Sequence, residues 1–154
     1  MKAKTIVLTI VLGMIAAASA FAGDANMGTW KLNEAKSKIP AMAPKNNMVT
    51  YVAAGDSIKV TVDGTDANGK PTHNEWTGKF DGKDYPLVGD ATADTRSYKK
   101  IDDHNMTIVN KKGGKTILEG KIAISADGKT RTLTASGMDS MGMKTEYTAF
   151  YDKQ

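Results

Sequence analysis

Cysteine is absent from the 154-residue chain, and proline, histidine and aromatic residues are scarce. Without cysteine the protein has no disulfide, zinc–thiolate site, thiol nucleophile or iron–sulfur cluster. Beyond residue 22 the chain also lacks an apolar run of the roughly 20 residues that a membrane-spanning helix needs. These absences leave a protein that must be stabilised by packing and backbone hydrogen bonds.

The first 22 residues have the three parts of a secretory signal peptide. Two lysines form a short basic start, and residues 5–18 are almost wholly apolar. Small residues follow at cleavage spacing, so we expect cleavage after Ala22, with Ala20 as the alternative site. The mature protein is then a single domain, residues 23–154, that is exported to the periplasm or secreted.

Little net charge remains once the signal peptide is removed. That segment carries two lysines and no acidic residue, which leaves 132 residues with a net charge of +2. Lysines and aspartates are interspersed along this stretch, without the basic patch that nucleic-acid binding requires. We therefore expect one domain and no nucleic-acid partner.

Apolar and polar residues alternate with a period of two through much of the mature chain. Ile58, Val60 and Val62 alternate with polar residues, which indicates a half-buried strand. Asn68-Gly69 predicts a hairpin with a type I′ turn, and similar turn signals recur every ~8–12 residues. The pattern predicts about nine or ten strands. A helical turn fits only within residues 34–38, and residues 41–47 are predicted to form a loop.

Short connections of this kind join neighbouring antiparallel strands. A twisted meander of so many strands either stacks on itself or closes, and closure removes the exposed sheet edges. The sequence therefore predicts an all-β fold, an antiparallel up-and-down β-barrel of about 8–10 strands.

Three segments resemble the calycins, the superfamily of lipocalins and fatty-acid-binding proteins. Gly28-Thr29-Trp30-Lys31-Leu32 is similar to the Gly-x-Trp opening of their first strand. Residues 92–96 (Thr-Ala-Asp-Thr-Arg) and 151–153 (Tyr-Asp-Lys) resemble segments of fatty-acid-binding proteins. The chain is also similar to small exported bacterial lipocalin-like proteins of unknown function, which begin Gly-Thr-Trp-Lys-Leu-Asn and continue with Lys-Ser-Lys.

The resemblance implies a calycin-like barrel in which Trp30 is a structural plug at the closed end, with Arg131 as a stacking partner. Two features differ from fatty-acid-binding proteins. Residues 31–48 are too short and too rich in proline for their helical lid, and Ala149 stands in place of an arginine of their carboxylate clamp. These differences argue against binding a fatty-acid carboxylate in that family's manner.

Side chains that face the barrel interior are the candidates for a ligand site. Arg96 and Tyr98 share one strand face, and such a pair, if buried, can hold a carboxylate or phosphate. The alternative is that both face water beside neighbouring aspartates. The residues assigned to ligand binding are Trp76, Phe80, Arg96, Tyr98 and Tyr147, and Ile122 and Ile124 are also expected to face inward.

Three methionines suggest a different chemistry. Met138, Met141 and Met143 form a Met-x-x-Met-x-Met motif whose thioethers are suitable ligands for Cu(I), with His73 as a nitrogen ligand. The alternative is that they are ordinary turn residues, because methionine occurs nine times in the chain and replaces other apolar residues freely. No arrangement of Ser, His, Asp or Glu indicates catalysis, and we assign no metal, cofactor or catalytic residue.

The sequence favours an exported, monomeric, non-catalytic barrel that binds a small, mostly apolar molecule in its interior. The first alternative is an interaction or inhibitor module with a filled barrel, acting through loops such as residues 41–47. The second is a periplasmic Cu(I)-binding protein that uses the methionine motif. An enzyme on a lipocalin-like scaffold is a third, without assignable catalytic residues.

Overall fold

The computed structural model describes residues 23–139 and 141–154, so the predicted signal peptide lies outside the described residues. The described chain contains ten strands and one 3-10 turn, Glu34–Lys36. No helix among these residues has the length and hydropathy needed to cross a membrane. The strands are β1 (Gly28–Leu32), β2 (Lys45–Ala54), β3 (Ser57–Thr65), β4 (Pro71–Gly78), β5 (Tyr85–Val88), β6 (Thr95–Lys100), β7 (Asn105–Lys112), β8 (Lys115–Ile124), β9 (Thr130–Met138) and β10 (Lys144–Lys153).

The ten strands form a closed antiparallel barrel in which each strand pairs with its neighbours in sequence. The first and last strands close the ring, because Trp30 of β1 lies opposite both Val49 of β2 and Lys153 of β10. The expected all-β, up-and-down barrel is therefore confirmed. The thinnest part of the wall is β5, which has only two register pairs with each neighbour and contains Pro86, a residue that cannot donate a ladder hydrogen bond.

Alternating strand directions divide the connections between two ends of the barrel. The end that we call the Trp30 end has the N-terminal segment 23–27 and the connections 55–56, 79–84, 101–104 and 125–129. The opposite end, called the Met end, has the connections 33–44, 66–70, 89–94, 113–114 and 139–143.

Period-two alternation places apolar side chains inside and polar side chains outside, as the sequence predicts. In β3 the inward residues Ile58, Val60 and Val62 are at most 3% exposed, whereas the residues between them are half-buried. The core therefore fills the barrel.

Two local predictions are corrected by the structure. Residues 45–47 belong to β2 and not to the predicted loop 41–47. The hairpin at residues 66–70 is present but its turn is not type I′, which needs positive φ at two residues, since only Gly69 has one. Asp66 instead holds the turn by accepting hydrogen bonds from the backbone N–H groups of Asn68 and Lys70.

Candidate functional site: the barrel interior

The Trp30 end of the barrel is plugged. Trp30 is fully buried, and its indole Nε1 donates a 2.9 Å hydrogen bond to the carbonyl oxygen of Asn26 in the N-terminal segment. The guanidinium of Arg131 lies 5.6 Å from the Trp30 ring centroid, on the core side, and the Lys153 ammonium lies 5.0 Å from the same ring. Both distances suit cation–π contacts.

Arg131 is buried among aromatic rings without an anionic partner. Its side chain projects from the start of β9, and its guanidinium lies 5.3 Å from the Tyr51 centroid and 4.7 Å from the Tyr151 centroid. The residue is only 2% exposed, and its Nε and Nη1 atoms have no hydrogen-bond partner. An arginine keeps its charge at all physiological pH values, so two buried donor nitrogens of a cation are left without an acceptor.

A second buried arginine lies farther toward the Met end. Arg96 is 4% exposed, and its Nε donates a 2.8 Å hydrogen bond to the amide oxygen of Asn110. Its Nη1 makes a longer contact of 3.4 Å with the amide oxygen of Asn74, and its guanidinium lies 6.0 Å from the Tyr98 ring. Arg96 and Tyr98 therefore share the interior, and the partners of Arg96 are neutral amides.

The interior has no negative charge that balances the two arginines. Among the described residues, no aspartate or glutamate lines the interior between them, and the nearly buried Asp24 side chain pairs with Lys100 instead. Burial raises the pKa of Tyr51 well above its ordinary value, although Arg131 acts in the opposite direction. Burial likewise raises the pKa of Tyr147 and of Tyr151, so these phenols are neutral. The barrel thus encloses two positive charges within neutral walls.

A small cavity of about 30 Å³ lies between the two arginines. Water needs roughly 10–15 Å³ by this measure, so the cavity has room for about two water molecules. Its lining combines polar groups with apolar side chains, namely Arg96, Arg131, Asn46, Asn110, Tyr51, Tyr98, Tyr147, Val49, Val62, Ile108, Leu118, Ile122 and Leu133.

Two of the residues assigned to ligand binding from the sequence do not line this cavity. Trp76 is 1% exposed, donates its Nε1–H to the carbonyl oxygen of Arg96 at 2.8 Å, and stacks on Phe80. Its ring also meets Tyr98 and Tyr85 edge to face, at 4.8 and 5.6 Å between centroids. Trp76 and Phe80 therefore build the wall of the core, whereas Arg96, Tyr98 and Tyr147 reach the cavity.

Sequence reasoning missed several residues that the fold brings to the cavity. The sequence indicates Arg131 only as a partner for Trp30, and it does not single out Tyr51 or Asn110. The alternation of buried residues does place Tyr51 and Asn110 inside the barrel, because Tyr51 follows Val49 by two residues and Asn110 continues the inward series of β7. A buried amide at an inward position is informative, because polar groups inside a core need a partner.

The larger concavity of the molecule lies outside the barrel. A shallow trough of about 680 Å³ crosses the outer faces of β7, β8, β9 and β10. The floor of the trough is the backbone of four residues that pair across neighbouring strands, namely Ile108, Gly120, Ala135 and Tyr147. The outward side chains of the residues before and after them form the two sides of the trough. None of the unpartnered buried polar atoms of the described residues belongs to this lining.

The methionine motif lies in the hairpin between β9 and β10, at the Met end. Met138, Met141 and Met143 are all more than half exposed. His73 is on the outer face of β4, where its Nδ1 lies 2.6 Å from an Asp63 carboxylate oxygen. The described residues contain no group of three or more His, Asp or Glu side chains that could hold a metal ion. Copper binding by the thioethers stays a prediction.

The described chain is therefore a closed barrel whose interior contains two buried arginines, Arg96 and Arg131. No family model matches the sequence, and no curated protein matches it. Solved structures do match, among them one described as EF1p2_mFAP2b bound to DFHBI. That structure is 10% identical with a TM-score of 0.49, and the match covers 89% of this chain and 100% of that chain. A similarity at this level assigns neither a family nor a function.

Proposed function

We propose that this protein is an exported barrel that binds a small molecule with an acidic group, held between Arg96 and Arg131. The observation that carries the proposal is the unbalanced interior charge. Arg131 has two buried donor nitrogens, Nε and Nη1, with no acceptor, and desolvated charges of this kind are costly unless they are paired. A carboxylate or phosphate oxygen at the cavity supplies the missing acceptor and the missing charge.

The lining also limits the rest of the ligand. Tyr51 and Tyr98 offer neutral hydroxyls that can hydrogen-bond a bound oxyanion, while Val62 and Leu118 provide apolar walls toward the Met end. The cavity of about 30 Å³ is far below the roughly 300 Å³ of a typical drug-sized pocket. The cavity as it stands is large enough only for the acidic group of a ligand. We therefore propose a small ligand with its acidic group innermost, whose short apolar body extends toward the Met end past Tyr147.

Native mass spectrometry of the protein purified from its source tests this function first. A retained small acidic molecule, lost on denaturation, is the expected result. Titration with carboxylates of increasing chain length then measures the size limit. Replacing Arg96 or Arg131 with methionine is expected to weaken binding at least about tenfold, because each removes a charge-assisted hydrogen bond. Lys121→Met on the outer face is the matched control, since Lys121 is exposed.

A neutral ligand that binds equally well to both arginine variants would contradict the proposal. A filled barrel that acts through its loops is the second candidate, and the small cavity volume favours it. Under that function, no acidic molecule binds at any chain length, and a protein partner is recovered instead. Binding that weakens in the Lys121 variant as much as in the arginine variants would also reject the interior site.

A further inference from the structure

Exposed apolar side chains are concentrated at the Met end of the barrel. Among the described residues, five of the seven large exposed hydrophobic side chains belong to this end, namely Met42, Val88, Met138, Met141 and Met143. Met42 and Met141 are the most exposed, at 73% and 76%. The other two, Val52 and Ile101, lie toward the Trp30 end. Four flexible thioether side chains thus project from one end of the molecule.

Charge is distributed unequally between the same two ends. The five connections of the Met end, with one flanking strand residue on each side, carry seven lysines and five acidic residues. The Trp30 end is counted in the same way and with residues 23–28 and 153–154, but without Asp84, which pairs with Lys111 of β7 at 2.7 Å. It carries five lysines and six acidic residues. The barrel therefore has a positive end, where the methionines lie, and a negative end.

The acidic residues of the Met end are engaged by backbone N–H groups or by a lysine of the same end. Asp66, Asp90 and Asp139 each accept hydrogen bonds from backbone N–H groups, Asp94 accepts one from Gly113, and Glu34 pairs with Lys45 at 2.7 Å. Most lysines of this end have no such partner. Within the described residues, no carboxylate lies within 4 Å of the ammonium of Lys36, Lys38, Lys70, Lys112 or Lys115.

We propose that the Met end docks on an anionic lipid membrane, with the thioethers at the level of the head groups and the lysines on the lipid phosphates. Charge complementarity favours such a surface, because anionic lipids attract clusters of lysines close to the bilayer. The five connections all lie at the same end of the barrel, so the methionines and lysines belong to one end of the molecule. Unbranched methionine side chains adapt to a fluid apolar medium. This surface is independent of the interior cavity.

Cosedimentation with vesicles measures the docking directly. We expect binding to vesicles of phosphatidylglycerol and phosphatidylcholine, and none to phosphatidylcholine alone. The combined change Lys36→Gln, Lys112→Gln and Lys115→Gln is expected to lower the partition coefficient by about tenfold or more. The matched control replaces three lysines of the Trp30 end, Lys79, Lys83 and Lys129, with glutamine and should leave the partition coefficient unchanged. Equal loss in both triple variants would overturn the proposed orientation.

Single cysteines provide a second readout, because the chain has none of its own. A polarity-sensitive dye on Met141→Cys is expected to shift to the blue with anionic vesicles, whereas the same dye on Ile101→Cys should not respond. A shift at both positions, or at neither, contradicts docking by the Met end. Light scattering without vesicles tests whether the Met end binds a second copy of the protein. Self-association that the Met-end lysine changes suppress would assign the surface to a second copy and overturn the lipid proposal. Tight binding to an acidic protein, with no binding to vesicles, would likewise overturn the lipid assignment.

Discussion

Replacing Arg131 with methionine separates a ligand-binding role from a purely structural one. The guanidinium leaves two donor nitrogens, Nε and Nη1, buried without an acceptor, and each such unpartnered group costs about 1–3 kcal/mol. Contacts with the rings of Trp30, Tyr51 and Tyr151, at 5.6, 5.3 and 4.7 Å, stabilise the cation by about 0.5–2 kcal/mol each. These opposing contributions nearly cancel. A methionine of similar reach fills the same space without a charge.

We therefore expect the Arg131→Met variant to have a free energy of unfolding within about 2 kcal/mol of the original, or above it, as for other buried charges replaced by apolar residues. Urea unfolding followed by tryptophan fluorescence gives this number, and the binding of small carboxylates should be lost in the same preparation. Arg131→Lys is the control that keeps the charge. A loss of more than about 3 kcal/mol, recovered in the lysine variant, would show that the cation holds the plug, and the reasoning would then be refuted.

Three further changes examine the core, an outer ion pair and the plug. A methyl group at Gly78 would lie 2.6–2.7 Å from two aromatic rings, so Gly78→Ala should lower the free energy of unfolding by about 1–3 kcal/mol. The hydrogen bond that the His73 ring donates to the Asp63 carboxylate raises the pKa of His73 above 6.5; Asp63→Asn should lower that pKa in an NMR titration. Burial raises the pKa of Asp24, but hydrogen bonds from Asn26 and an ion pair with a lysine outweigh it and hold the pKa below 3.8. The ionised carboxylate thus stabilises the fold above that pH, and the loss of stability in Asp24→Asn should fade as the pH falls below 3.8.

Each of these changes has a neighbouring control. Thr77→Ala, on the exposed face beside Gly78, should cost less than about 0.5 kcal/mol. Asp56→Asn removes another carboxylate of the Trp30 end, one that is 86% exposed, and should alter stability less than Asp24→Asn at pH 7. A His73 pKa that stays in place after Asp63→Asn would assign its shift to Glu75, whose carboxylate lies 3.6 Å from Nε2.

Local alternation was sufficient to predict the architecture. The inward series Ile58, Val60 and Val62, followed by an Asn-Gly turn signal, specifies a strand and its hairpin without tertiary information. The type of this turn could not be predicted from Asn68-Gly69 alone. Asp66 accepts hydrogen bonds from two backbone N–H groups and thereby favours a longer turn. The start of β2 was missed because residues 45–47 are polar and only half-buried, so they carry no periodic signal.

The candidate site was only partly accessible from the sequence, because it depends on which inward residues share one level of the barrel. Arg96 and Tyr98 were found by their spacing within one strand. Arg131 and Tyr51 meet them only through the pairing of strands that are far apart in the chain. Trp76 and Phe80 face the same interior, yet they pack on each other and leave the cavity to smaller or polar side chains. Which inward side chains line the cavity depends on packing between strands, and this packing cannot be predicted from the pattern within any one strand.

The junction of β1 with β10 makes the two ends of the described chain depend on each other during folding. Hydrogen bonds between residues 30–32 and 151–153 complete the wall, so the sheet keeps two open edges until the final strand has arrived. A contact over so long a stretch of chain forms late and slowly, because loop closure must precede it. The barrel wall therefore cannot close until β10 has paired with β1.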